Sequence, residues 1–309
     1  VLGLLFVARF RHVHRFPVLL FFCIIKNVVI YVERIVAMSD FDLRIFSYLP
    51  NPRVWKATIA ARLCGIRIDV RGSAAADLQN WLWDFEAHPL TDEEKNAQQG
   101  IERKGRAGFA GRLYKTEDFL DAHPFGTVPA AFSPDGKTGI FESNSIMRAV
   151  GRLGQEKYPV YGTDAYSATR IDSYLDASLV FARDSQIYLL ALMGDSMTAD
   201  VHSRAKVAFG IYLSGIDRGL APNREYLVGD SVTLADICFV AEIALFSNEK
   251  AQVKLLAENG LDLVFHEGIE AKYPKAMAHF AKLSEHEAFA PDVKPYLEKL
   301  QKRIVRNTE

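Results

Sequence analysis

The chain has 309 residues, 49% of them hydrophobic, and a formal net charge of −1 from 37 basic and 38 acidic side chains. That length supports two ordinary domains with sizeable cores, and near-neutral charge removes the electrostatic ground for a nucleic-acid partner. The cysteines Cys23, Cys64 and Cys238 are far apart and form no CxxC pattern, and the six histidines beyond residue 37 show no HExxH or paired ligand spacing, so neither a disulfide framework nor a metal site is expected.

Residues 1–37 are apolar and basic. Their longest uncharged run, residues 16–25, is well short of the ~20 residues of a membrane span, and no small-residue cleavage site follows it. Met38-Ser39-Asp40 reads as a natural start. Residues 1–37 are therefore expected to be a leader, outside the native protein or disordered, with a membrane anchor or targeting segment as the minority alternative. Residues 43–48 read as a strand. Pro52 at the first helical position opens a helix, with Asn51 as a cap, and Gly65 ends it. Residues 66–70 alternate as a second strand, giving a right-handed βαβ unit.

Residues 73–114 stand out. Their first half, with Trp81, Trp83 and Phe85, is expected to be helical; residues 104–112 are basic and glycine-rich and are expected to be a flexible loop. The glycine spacing is not that of a dinucleotide fingerprint. The tryptophans would anchor this segment, line an aromatic pocket or join an interface.

After the turn His123–Thr127, the pair Val128-Pro129 precedes a short apolar strand, residues 130–132. Ser133 to Gly136 reads as a hairpin turn and residues 139–141 as the returning strand. A cis Val128-Pro129 bond would end the strand pairing and leave the backbone of Val128 free for an extended peptide to join as an extra strand. Ile146, Met147, Val150 and Leu153 share one helix face, with Ser143 or Asn144 as N-cap. The unpaired N–H groups of a helix start attract a carboxylate. A plain strand, turn and capped helix without a ligand is the alternative. Residues 154–166 read as a linker, and residues 167–309 as helices only: 171–192, 198–220, one opened by the Thr233/Asp236 capping box, 262–283 and 292–304.

The run FLDAHPFGTVPAAF followed by FESNSIMRAV resembles the glutathione-site signature of the cytosolic glutathione transferases. Residues 43–63 and the stretch NREYLVGDSVTLADI are similar to the same family, and Tyr48, Asn51, Arg53, Lys56 and Ile59-Ala60-Ala61 match the first helix of its elongation-factor gamma branch. The resemblance implies an α/β thioredoxin-like domain over residues 38–153, carrying an insertion at about 73–114, then an all-α domain over residues 167–309. It implies glutathione as co-substrate, held by Val128, Pro129, Glu142 and Ser143. Lys115 or Lys56 would meet its glycine carboxylate, each being otherwise a solvated lysine.

A free thiol titrates near ~8.5, so the protein must lower that pKa to form the thiolate nucleophile. The resemblance places the activating group among Ser47, Tyr48, Asn51 and Arg53, with Tyr48 and Arg53 first. The expected reaction is attack on a small apolar or aromatic electrophile, aryl ether cleavage being one specialised form, in a cytoplasmic dimer of two copies or of this chain with a paralogue. No membrane partner is expected. A non-catalytic scaffold is the alternative; the absence of a further domain after the helices weighs against it. A thiol oxidoreductase is set aside because residues 47–53 hold no cysteine.

Overall fold

A computed structural model describes residues 40–309 except 98–101, 106, 107, 110, 195 and 309, together with the backbone of residues 20–25 and 28–33. The chain divides into two compact units, residues 1–40 and 41–309. In the first, β1 (Leu20–Ile25) pairs antiparallel with β2 (Val28–Glu33), Leu20 opposite Glu33. The leader expectation for residues 1–37 otherwise lies outside the described residues.

The second unit starts with β3 (Leu43–Phe46), α1 (Pro52–Cys64) and β4 (Ile68–Arg71), β3 and β4 being parallel. Helix α1 starts where expected: Pro52 sits at its first position and Asn51 accepts the Arg53 N–H at 2.9 Å. Gly65 ends it in the left-handed region at φ 65°, its N–H donating to the Ala61 carbonyl. The sheet is completed by β9 (Ala130–Phe132) and β10 (Gly139–Phe141), in the order β10-β9-β3-β4.

Both faces of this sheet are covered, and the strands alternate accordingly. Leu43, Ile45 and Ala131 point into the larger core, with α1, α4 (Ser143–Leu153) and the helical region. Phe46, Ala130 and Phe132 point into a second core with Trp83, Leu113 and Phe119.

The second core corrects the reading of residues 73–114. In place of the expected helix, the segment builds its own sheet, in the order β6-β5-β8-β7, from β5 (Trp81–Trp83), β6 (His88–Pro89), β7 (Glu102–Lys104) and β8 (Arg112–Lys115). Among its described residues the helical elements are one 3-10 turn, Asp77–Asn80, and the short α2 (Asp92–Ala97). The glycine-rich stretch joins β7 to β8, with the Gly105 N–H on the Gly111 carbonyl at 2.8 Å. Helix α3 (Glu117–Ala122) then leads to the turn before Val128. Arg44 fastens the two sheets: buried, it contacts Asp69 at 2.7 Å and Glu86 at 2.5 Å and stacks on Phe41 and Phe85.

The remaining chain is helical: α5 (Ala165–Met193), α6 (Ala199–Gly219), α7 (Leu234–Phe246), α8 (Val253–Glu258), α9 (Ile269–Lys272), α10 (Pro274–Glu285) and α11 (Ala290–Thr308). Asp236 closes back on the start of α7, accepting the Thr233 N–H and hydroxyl, each at 2.8 Å. The helix expected from residue 262 begins only at Ile269 and is divided at Tyr273, because the chain before it instead meets a buried carboxylate: Glu249 accepts the Val264 and Phe265 N–H groups.

Candidate functional site

Helix α4 begins at Ser143, so the residue at its N-cap is Glu142, rather than Ser143 or Asn144. Ile146, Met147 and Val150 are buried as expected, whereas Leu153 is 55% exposed. Glu142 holds φ 66° and ψ 122°, and is the one non-glycine residue with positive φ among the described residues. Such a conformation costs on the order of 1–3 kcal/mol and persists where surrounding structure enforces it, commonly at binding sites. Its side chain makes no capping bond and is exposed. The Val128–Pro129 bond is cis, and β9 joins its neighbours only from Ala130.

Below this turn lies a buried polar cluster. The Lys56 ammonium, 1% exposed, reaches Glu242 at 2.7 Å, Asn144 Oδ1 at 2.8 Å and Ser143 Oγ at 3.3 Å. Asn144 Nδ2 donates to the Leu175 carbonyl at 3.0 Å and to Ser178 Oγ at 3.1 Å. Burial alone would raise the pKa of Glu242, but the charges of Arg53 and Lys56 outweigh it and hold the carboxyl at about 2. The expectation of a solvated Lys56 is thus corrected: its ammonium joins three elements.

Lys115 is also not solvated. Its ammonium donates to the Gly126 carbonyl at 2.5 Å and lies 4.6 Å from the centre of the Trp83 ring, which places it beneath the turn before Val128.

The four candidate activators lie together at the end of β3 and the start of α1, but three are engaged. Asn51 caps α1 and donates to Ser47 Oγ at 3.1 Å, and Ser47 is fully buried. The Arg53 guanidinium contacts Glu242 at 3.4 Å, Gln186 Oε1 at 2.6 Å and the Ala182 carbonyl. Tyr48 is half-buried, with its ring 6.5 Å from Phe109 at the tip of the β7–β8 hairpin. Burial raises the pKa of its phenol; the nearby Arg53 charge opposes this without overcoming it.

Residues 186–287 match the family described as the C-terminal domain of glutathione S-transferase. Elongation factor 1-gamma 1 of Oryza sativa subsp. japonica is 29% identical over 196 residues, which are 62% of this chain and 38% of the relative. The glutathione S-transferase-like protein FUS3 of Gibberella moniliformis is 27% identical over 62% of this chain and 72% of its own. The solved structure of the glutathione transferase URE2P8 from Phanerochaete chrysosporium, with oxidized glutathione, superposes at TM-score 0.56 and 16% identity over 86% of this chain and 99% of that one. This chain has the fold of the cytosolic glutathione transferases. In sequence it is similar to elongation factor 1-gamma proteins, and it spans only 38% of the rice relative's length.

The glutathione-transferase fold groups the sequence-derived residues into two sets. Ser47, Tyr48, Asn51 and Arg53 surround the start of α1, while Glu142 and Ser143 mark the start of α4, connected to the first set through Lys56 and Glu242. Sequence reasoning missed Glu242 and offered Asn144 only as an N-cap, not as part of the buried cluster. One signal for Glu242 was present: a charged residue in the apolar run Leu234–Phe246, where twelve of thirteen positions are buried.

Proposed function

We propose that this chain binds glutathione at the start of α4 and presents its thiolate to a small apolar or aromatic electrophile. The observation that carries this reading is the strained, exposed Glu142 directly before Ser143. Its carboxylate suits the α-amino group of the γ-glutamyl end, and the first N–H groups of α4 with the Ser143 hydroxyl suit the α-carboxylate. Val128 and Pro129 would face the cysteinyl backbone, with Lys115 steadying the adjoining turn from below. Domain boundaries follow the same reading: residues 38–153 for the glutathione-binding domain with its insertion, and residues 167–309 for the helical domain. The buried free thiols Cys64 and Cys238 suit a reducing cytoplasm.

Tyr48 is the activator in this proposal. Because Asn51, Ser47 and Arg53 already have partners within the protein, the phenol is the remaining donor at the end of β3. Its raised pKa keeps it protonated through the neutral range, as donation to a thiolate requires. Tyr48→Phe is expected to lower kcat about 10²-fold with an activated aryl halide while the Kd for glutathione stays within about twofold. An unchanged kcat would remove Tyr48 from the mechanism.

The same engaged neighbours favour a second reading, a non-catalytic scaffold of the elongation-factor gamma kind. It predicts no turnover with any electrophile. Either role suits a dimer. Between α5 and α6 runs a groove of about 1120 Å³ lined by Val180, Val207 and Ile211, which are 58–70% exposed. We propose that a second copy covers it. Sedimentation is expected to give the mass of two chains at micromolar concentration; one chain's mass would contradict this.

A further inference from the structure

We infer that Glu242, from the helical region, is the positioning residue for the glutathione-binding turn; this rests on the function proposed above. Helix α7 is the most enclosed helix of the fold, and a carboxylate in its middle satisfies no capping need. What it does is join two helix starts. It contacts Arg53 in the first turn of α1, at 3.4 Å, and Lys56 one turn later, at 2.7 Å. Lys56 carries the link to the first turn of α4, where its ammonium meets Ser143 and Asn144. Asn144 is anchored from its other side by α5, through Leu175 and Ser178.

Asn144 is therefore clamped from both sides, and Ser143 is held by Lys56, immediately after Glu142, the residue whose backbone is strained. A non-glycine residue at φ 66° relaxes unless its neighbours are fixed. The clamp supplies that fixation, and its charged end is Glu242. The helical region thereby sets where the Glu142 carboxylate and the Ser143 hydroxyl stand, without touching the ligand itself. The lock is specific in chemistry as well as place: a buried ammonium has three donors, and here all three find oxygen acceptors on two helices.

The test uses the full chain and two variants, Glu242→Gln and the double variant K56M/E242M. The double variant removes both buried charges together, so the fold is retained, while Arg53 keeps Gln186 and the Ala182 carbonyl. Hydrogen exchange is followed at Ser145 and Ile146, whose N–H groups donate to the Glu142 carbonyl, and glutathione affinity by calorimetry. In the double variant both amides are expected to exchange at least about tenfold faster than in the wild type, and glutathione to bind at least about tenfold more weakly, at a melting temperature near that of the wild type. With turnover, KM for glutathione rises and KM for the electrophile does not. Wild-type exchange and affinity in a folded double variant would overturn the inference and leave Glu242 a purely structural residue. A wild type that binds no glutathione would overturn the function reading instead, and the exchange rates would still decide whether Glu242 positions the turn.

Discussion

Glu242→Met is expected to lower the unfolding free energy by about 3–5 kcal/mol, measured by urea denaturation at neutral pH. The loss is large because the Lys56 ammonium would stay buried at 1% exposure with only the neutral oxygens of Ser143 and Asn144 beside it. Adding Lys56→Met is expected to recover most of the loss, since removing both charges leaves an apolar pair inside a close-packed core. The pH dependence has a definite sign. The folded-state pKa of Glu242, about 2, lies below its ordinary value of 4.5. Its contribution is therefore present above pH ~4.5 and lost as pH falls through about 2, a difference of roughly 3 kcal/mol. The wild type is expected to lose that stability in acid, and Glu242→Met to show a flatter profile over the same window. A loss below about 1 kcal/mol for the single variant would mean that the ion pair adds little to the fold.

Trp83→Ala is expected to cost about 3–5 kcal/mol, for a different reason. Its fully buried indole is the centre of the second core, packing on Phe46, Phe109 and Phe119 with ring centres 5.3–5.8 Å apart. Its Nε1 donates to the Leu78 carbonyl at 3.0 Å, and Lys115 lies against its face. Truncation leaves a cavity between the two sheets and frees the insertion from the outer face of β3 and β9. Limited proteolysis should then cut residues 77–115 well before the helices. An unaltered urea midpoint and cleavage pattern would show that the insertion holds its place without this core.

How far the sequence could be read depended on whether the signal was local. Pro52 and Gly65 bracket α1, Ser133 to Gly136 turn the β9–β10 hairpin, and the Thr233/Asp236 box opens α7; each is a short-range device, and each was legible. The insertion was not. Leu78, Trp81, Leu82 and Phe85 have spacings that suit a helix, yet residues 81–83 form a strand because Leu82 and Trp83 pair with Tyr114 and Lys115. That partner lies some thirty residues away and cannot be seen in a local window. The same strands leave the outer face of the first sheet apolar at Phe46 and Phe132, and the insertion covers it.

The site divides the same way. The order of turn, Val-Pro, hairpin and Glu-Ser-Asn was legible and pointed to the start of a helix, where the structure has Glu142 at the N-cap and Ser143 at the first position of α4. The partners that engage Arg53 and Lys56 were not, because Glu242 stands 189 and 186 positions further along the chain. Taken alone, each side chain looks like a solvated surface cation. Only packing α7 against α1 and α4 makes them parts of one buried cluster, and with that the helix expected to supply a free positive charge supplies a neutralised one.

The central claim is that the start of α4 is a glutathione site, and the most direct measurement is a calorimetric titration of glutathione into the full chain, with Glu142→Ala as control. Saturable binding with a micromolar to low-millimolar Kd is expected, weakened at least about tenfold by Glu142→Ala, the loss of one charge-assisted hydrogen bond. A folded wild type showing no saturable binding through millimolar glutathione would contradict the account and place the scaffold reading first.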